Sequence, residues 1–181
     1  MDSAVRALIE ALPFRPLVRP QTLLPPIILR VWRWRPLKPY NGFSHAERVL
    51  NWQVSDWLRC AGALLAPDVC DLCRASAPLG LHAEDYTDPE RAMFLCQDCH
   101  FAVHRRFSVP AALAERARAP DAAPPWIAAL PSSPTDVATQ LRRAGYPELL
   151  DRLPPWCEPL VTHFRSDHRG KGDGGSNLVE Q

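Results

Sequence analysis

The chain has 181 residues, 46% of them hydrophobic and 20 of them proline, and its 21 basic and 20 acidic side chains leave a formal charge of +1. That length suits one domain with extensions, since a second core of ordinary size would consume the remainder. A near-neutral balance excludes a molecule that attracts polyanions through its overall field, so any affinity for nucleic acid has to come from local charge asymmetry.

Met1 to Pro13 holds neither a basic leader region nor an apolar run long enough to span a bilayer, which predicts a soluble, cytoplasmic protein with no membrane partner. Residues 3–12 read as a short amphipathic helix closed by Pro13, suited to docking on a larger body. From Phe14 to Tyr40 the chain is punctuated by proline and carries Arg15, Arg19, Arg30, Arg33, Arg35 and Lys38 with no acidic residue. Within it, Val31-Trp32-Arg33-Trp34-Arg35 alternates apolar and cationic side chains, which an extended segment sends to opposite faces. Two readings stand: a half-buried strand that packs its tryptophans on the core, or a basic arm that meets phosphates and stacks on bases. One segment can do both.

Ser44-His45-Ala46-Glu47 is a capping-box pattern, and the apolar residues after it recur at helical spacing, which predicts a helix over 45–65 that stops before Pro67. His45 reads as an exposed residue of its first turn.

The next segment, about 67–107, carries the chemistry. Cys70-x-x-Cys73 and Cys96-x-x-Cys99 offer two pairs of thiolates at knuckle spacing, enough to close a tetrahedral shell on one Zn²⁺. In a reducing compartment, paired cysteines favour metal over disulfides. His82, His100 and His104 lie inside or just after the same knot and suit a second, nitrogen-rich metal site, with His100 and His104 at i and i+4 on one helical face. Because His100 follows Cys99 directly, a shell of three thiolates and one imidazole is an alternative to four thiolates. A strand within Leu79 to Tyr86, a return through Phe94-Leu95 and a helix over 98–107 complete an α+β, treble-clef (ββα-metal) core flanked by helices and Pro-rich extensions. Cys60 and Cys157, outside the motif, read as small buried hydrophobes.

Beyond Phe107 the pattern predicts an alanine-rich helix over 111–119, a linker over 120–131 carrying Trp126, a capped helix over 133–144 ending at Gly145, and a short helix within 147–164 broken at Pro154-Pro155. A Gly- and charge-rich tail from about Ser166 completes the chain. The expected organisation is a helix and basic arm (1–43), a helix plus metal module (44–107), a helical Pro-rich extension (108–165) and a tail (166–181).

Leu81-His82-Ala83-Glu84-Asp85-Tyr86-Thr87-Asp88-Pro89, followed by Leu95-Cys96-Gln97-Asp98-Cys99-His100-Phe101-Ala102-Val103-His104-Arg105-Arg106, resembles the HNH endonucleases, in particular their zinc-bearing bacterial and phage members. The resemblance covers about 40 residues of the 181. It implies that Cys70, Cys73, Cys96 and Cys99 bind structural zinc, and that His82, His100 and His104 ligate a catalytic divalent ion such as Mg²⁺ or Mn²⁺. The family's general base is the residue after the first histidine, and that position here is Ala83, whose methyl group accepts no proton. A shifted register that makes His82 the base, or Glu84 acting as base or ligand from two residues along the same strand face, are the alternatives. No asparagine lies between His82 and Cys96 to orient a base; Thr87 and Asp88 occupy that stretch.

The expected function is an HNH-like zinc protein that binds nucleic acid, with DNA the expected partner and endonuclease activity weak or lost. Arg30, Arg33, Arg35, Lys38, Arg105 and Arg106 are the expected phosphate contacts, and His82, Glu84 and His100 the expected catalytic groups. A working metal-dependent endonuclease is the runner-up. A treble clef kept as a protein-interaction scaffold is a third reading, which the charge of the arm does not require.

Overall fold

The structure, a computed structural model, describes residues 1–33, 35–118 and 123–169. Trp34 and the tail beyond residue 169 lie outside the described residues. The element order is α1 (Ser3–Ala11), α2 (His45–Cys60), β1 (Leu79–His82), β2 (Met93–Cys96), α3 (Gln97–His104), α4 (Pro110–Ala117), α5 (Pro125–Ala129), α6 (Val137–Arg143), α7 (Leu149–Arg152) and α8 (Glu158–Arg169). The class is α+β: among the described residues, helices accompany one antiparallel strand pair, in the register Leu79 to Cys96, Gly80 to Leu95, Leu81 to Phe94 and His82 to Met93.

The most legible helix is α2. Ser44 Oγ accepts the N–H of Glu47 while the Glu47 carboxylate accepts the N–H of Ser44 at 2.7 Å, so two of the donors that a helix start leaves orphaned are satisfied reciprocally. It ends at Cys60, five residues short of expectation, because Gly62 at φ 70° turns the chain out of the helix.

β2 organises the interior. Its side chains alternate between two hydrophobic clusters: Met93 and Leu95 enter one with Val5, Leu8 and Trp126, and Phe94 enters the other with Val54, Leu58 and Leu160. That alternation follows from the period of two of an extended chain. It also settles where α1 docks: Val5, Leu8 and Ile9 are buried on the body of the protein, and the Arg91 guanidinium donates to Ile9 O at 2.6 Å.

Four further expectations shift. Residues 31–33 and 35 join no strand, in keeping with prolines at 25, 26, 36 and 39, which cannot donate to a ladder; the arm meets α2 where Gln53 donates to Arg30 O at 2.8 Å and Leu37 N–H donates to His45 Nδ1 at 3.1 Å. Trp32 nevertheless turns inward, edge-on to Trp52 with ring centroids 5.5 Å apart, while Val31, Arg33 and Arg35 face out. The segment 125–129, expected as linker, is a helical turn that buries Trp126 against α1. The last helix runs on through Arg169, past the expected start of the tail. Of the two outlying cysteines, Cys157 is buried as expected and Cys60 is exposed.

An Asn-Gly turn missing from the sequence expectations proves important for the site. Asn41 and Gly42 both take positive φ, 52° and 80°, the geometry of a tight hairpin turn, and Tyr40 and Phe43 bridge across it. A side chain at Gly42 would collide with Asp136, the N-cap of α6, so both the backbone angle and the packing require glycine. No described helix is long and apolar enough to cross a membrane.

Candidate metal centre

Two clusters of ligating side chains form at the ends of the strand pair, and within each cluster the ligand atoms all lie within 4.8 Å of one another: Cys70, Cys73, Cys96 and Cys99 in one, His82, His100 and His104 in the other. The sequence brought both sets to light, and the fold assembles both.

The cysteine cluster is held by backbone. Arg74 takes a positive φ of 62° and donates its N–H to Cys70 O at 3.0 Å, which closes the first knuckle. Asp71 locks this knuckle to β2, donating its N–H to Phe94 O at 2.9 Å and accepting the N–H of Phe94 at 2.7 Å. The second knuckle is the start of α3, with Cys96 in the N-cap position. Sγ of Cys73 and Sγ of Cys96 are 3.8 Å apart. That is the edge of a tetrahedron of thiolates about 2.3 Å from a zinc ion, which works out at about 3.8 Å. Burial pushes the thiols of Cys96 and Cys99 up, whereas at Cys70 the same burial is outweighed by N–H groups of Cys96, Cys73 and Leu72 pointing at the sulfur, and its thiol is lowered. Four half-buried to buried thiols with N–H donors aimed at sulfur are a donor set for a soft or borderline cation such as zinc.

The histidine cluster sits where β1 ends against α3. His100 and His104 stack along one helical face with Nε2 atoms 3.0 Å apart, the separation of two ligands at a right angle about 2.1 Å from one ion. Burial, then the neighbouring positive groups, push His100 down to about 4 and His104 down to about 2. Both are therefore neutral at pH 7, the form that ligates metal. His82, 2% exposed, completes the triangle with ring centroids 5.1 and 4.8 Å from theirs. Its Nε2 lies 2.9 Å from Glu84 Oε1, and since that carboxylate only accepts, Nε2 carries the proton. The remaining ring atom, Nδ1, is buried with no hydrogen-bond partner among the described residues. An orphaned nitrogen on a ring packed edge-on to two other imidazoles fits an ion, and the carboxylate at its other nitrogen fits the usual second partner of a metal-ligating histidine.

Glu84 is thereby moved from the expected role of base or ligand to a supporting one. It is fully buried and encircled by donors: His82, the Tyr40 hydroxyl at 2.7 Å, Asn41 Nδ2, and both terminal nitrogens of Arg106 at 3.1 and 3.0 Å. Burial alone would raise its carboxyl, but the hydrogen bond from His82, then the Arg106 charge and the Tyr40 hydroxyl, hold it at about 2. Arg106, expected as a phosphate contact, is 5% exposed and committed to this carboxylate. Arg105 stays on the surface over the ring of Phe101. Arg33, Arg35 and Lys38 are exposed with no ion pair among the described residues, and Arg30 makes one loose contact with Asp56 at 3.4 Å.

The sequence reading missed Tyr40, Asn41 and Arg48. The guanidinium of Arg48 lies between the rings of Tyr40 and Tyr86, 5.4 Å from each, donates to Lys38 O at 2.6 Å, and adds its charge to those lowering His100 and His104. Its place on the inner face of α2 was in the helical periodicity; its meeting with the histidines was not, because they are more than 50 positions away. The Asn41-Gly42 pair was the available signal for the turn that delivers Tyr40 and Asn41. A cleft of about 450 Å³ opens beside the histidines, walled by α2, the basic arm and α3. No family model, curated protein or solved structure matches this chain.

Proposed function

We propose that the protein is an HNH-like, treble-clef (ββα-metal) zinc protein that binds nucleic acid and whose phosphodiester cleavage is weak or lost. The observation that supports this reading is the convergence of His82, His100 and His104 beside a four-cysteine cluster, with Ala83 in the place of the family's base. In this reading Cys70, Cys73, Cys96 and Cys99 hold structural zinc, and the three imidazoles hold a second divalent ion. Three nitrogen donors with the nearest carboxylate already committed favour Mn²⁺ or another transition ion over Mg²⁺, which prefers oxygen. An ion there supplies Lewis-acid stabilisation of a phosphate oxygen. Arg48 adds a second positive group at the same place, Glu84 fixes the His82 ring and its tautomer, and Ala83 leaves the attacking water without a proton acceptor. Arg30, Arg33, Arg35, Lys38 and Arg105 provide the exposed charge for the phosphate backbone.

The second reading, a working endonuclease, is supported by the completeness of the Glu84, Tyr40, Asn41 and Arg106 network, since a ligand held this firmly is a costly ornament for a dead site. Plasmid nicking with Mg²⁺, Mn²⁺ or Ni²⁺ against EDTA separates the two. The expected result is slow or undetectable cleavage by the native chain, at least about tenfold faster cleavage by Ala83→His, and none by His82→Ala in either background. Robust native nicking that disappears in His82→Ala would refute the proposal in favour of the second reading.

A further inference from the structure

Much of the lining of the cleft beside the histidines takes no part in the phosphodiester chemistry proposed above. Phe101, on the residue after His100, is 50% exposed although it is a large apolar side chain. It shares the cleft with Trp32 and Trp52, which form an edge-to-face pair, and with Arg48 and Arg59. In the wall contributed by α2 lie Asn51 and Ser55, one turn apart and each 1% exposed. Asn51 Nδ2 donates to Tyr86 O at 3.1 Å, but Asn51 Oδ1 and Ser55 Oγ have no hydrogen-bond partner among the described residues. Buried polar atoms nearly always have one, so two orphans on one helical face of a cavity wall point to a ligand.

We propose that this cleft takes one unstacked nucleotide of a single strand, with its base on the aromatic lining and its hydrogen-bonding edge toward Asn51 and Ser55. The proposal rests on the nucleic-acid reading above and narrows its substrate class. At about 450 Å³ the cleft has the size of a small-ligand site. It admits one nucleotide and no duplex, because a paired base is stacked on both faces and enters such a pocket only when turned out of the helix. The composition agrees: planar aromatic surface for any base, guanidinium groups for the phosphates on either side, and few polar groups for the base edge. A χ1 rotation of Ser55 between staggered wells swings its hydroxyl within the wall, so a base edge can recruit it without moving the helix. The nucleotide so held lies next to the three histidines, which is where a phosphate of the same strand would meet the site.

Fluorescence anisotropy of a labelled 12-nucleotide thymidine-rich strand and of a blunt duplex of equal length, with the zinc-loaded protein in EDTA-free low-salt buffer, tests this. The single strand is expected to bind at least about tenfold tighter than the duplex. Phe101→Ala, at a half-exposed position and with zinc content checked, is expected to weaken single-strand binding at least fivefold, in line with the loss of one base stack. Ser55→Ala, which removes the hydroxyl and adds no atom to the buried wall, should also narrow the preference. Equal or tighter duplex binding, or a single-strand affinity unmoved by both substitutions, would overturn the nucleotide subsite while leaving nucleic-acid binding intact. Absence of binding to either probe would overturn both readings at once.

Discussion

Replacing Arg106 with methionine isolates the energetic weight of the network behind the histidines. Methionine keeps the length and apolar stem of the side chain and removes only the guanidinium. That group makes two bonds to the Glu84 carboxylate, one to Val103 O at 3.1 Å and one to the Tyr40 hydroxyl. Its loss leaves a fully buried carboxylate with the donors of His82, Tyr40 and Asn41 but no compensating charge. Removing one partner of a buried pair costs about 3–5 kcal/mol, and three surviving hydrogen bonds place the expectation at the low end, about 3 kcal/mol. Urea unfolding of the zinc-loaded protein followed by circular dichroism should show the midpoint falling by about 1–2 M for a slope near 2 kcal/mol/M. Adding Glu84→Met should cost less than the two single substitutions summed, because the charge pair is lost only once, while the donors of His82, Tyr40 and Asn41 lose their shared acceptor. A single substitution costing under about 1 kcal/mol, or a double one costing the sum of the two singles, would refute the view that Glu84 and Arg106 act as a pair.

Elemental analysis of protein purified without added metal should find about one equivalent of zinc, with Cys99→Ser losing most of it; under half an equivalent with reduced thiols would remove the basis for the thiolate site. Under the proposed function, duplex affinity should fall with salt at a logarithmic slope of about −3 to −5, flattening when Arg30, Arg33 and Arg35 become alanine. Alkylation of the zinc-loaded protein at pH 8 should modify Cys60 first: Cys157 is fully buried and burial pushes its thiol up to about 12, so rapid labelling of Cys157 would contradict its packing.

The cysteine and histidine spacings announced both clusters because metal ligands recur at fixed short steps, and the capping box announced α2 because its signal is contained in four consecutive residues. Glu84 shows where such reasoning stops. Its two-residue step from His82 put it correctly on His82's side, but whether it faces an ion or an arginine depends on Tyr40 and Arg106, 44 and 22 positions away. Arg106 misled for the same reason: an Arg-Arg pair after a helix looks solvated until a buried carboxylate claims one member. The alternation over 31–35 predicted the inward turn of Trp32 and failed as a strand, since pattern sets which side a residue faces and a neighbouring chain sets whether a ladder forms.

Cys96 ends β2, caps α3 and contributes a thiol, and Cys99, His100 and His104 follow on that same helix. Twelve consecutive residues, from Met93 to His104, thus carry two ligands of each cluster on one rigid piece of backbone. The angle at which α3 leaves β2 at Cys96 places Cys99 and both imidazoles together, so the geometries of the two clusters are tied to each other through one stretch of backbone.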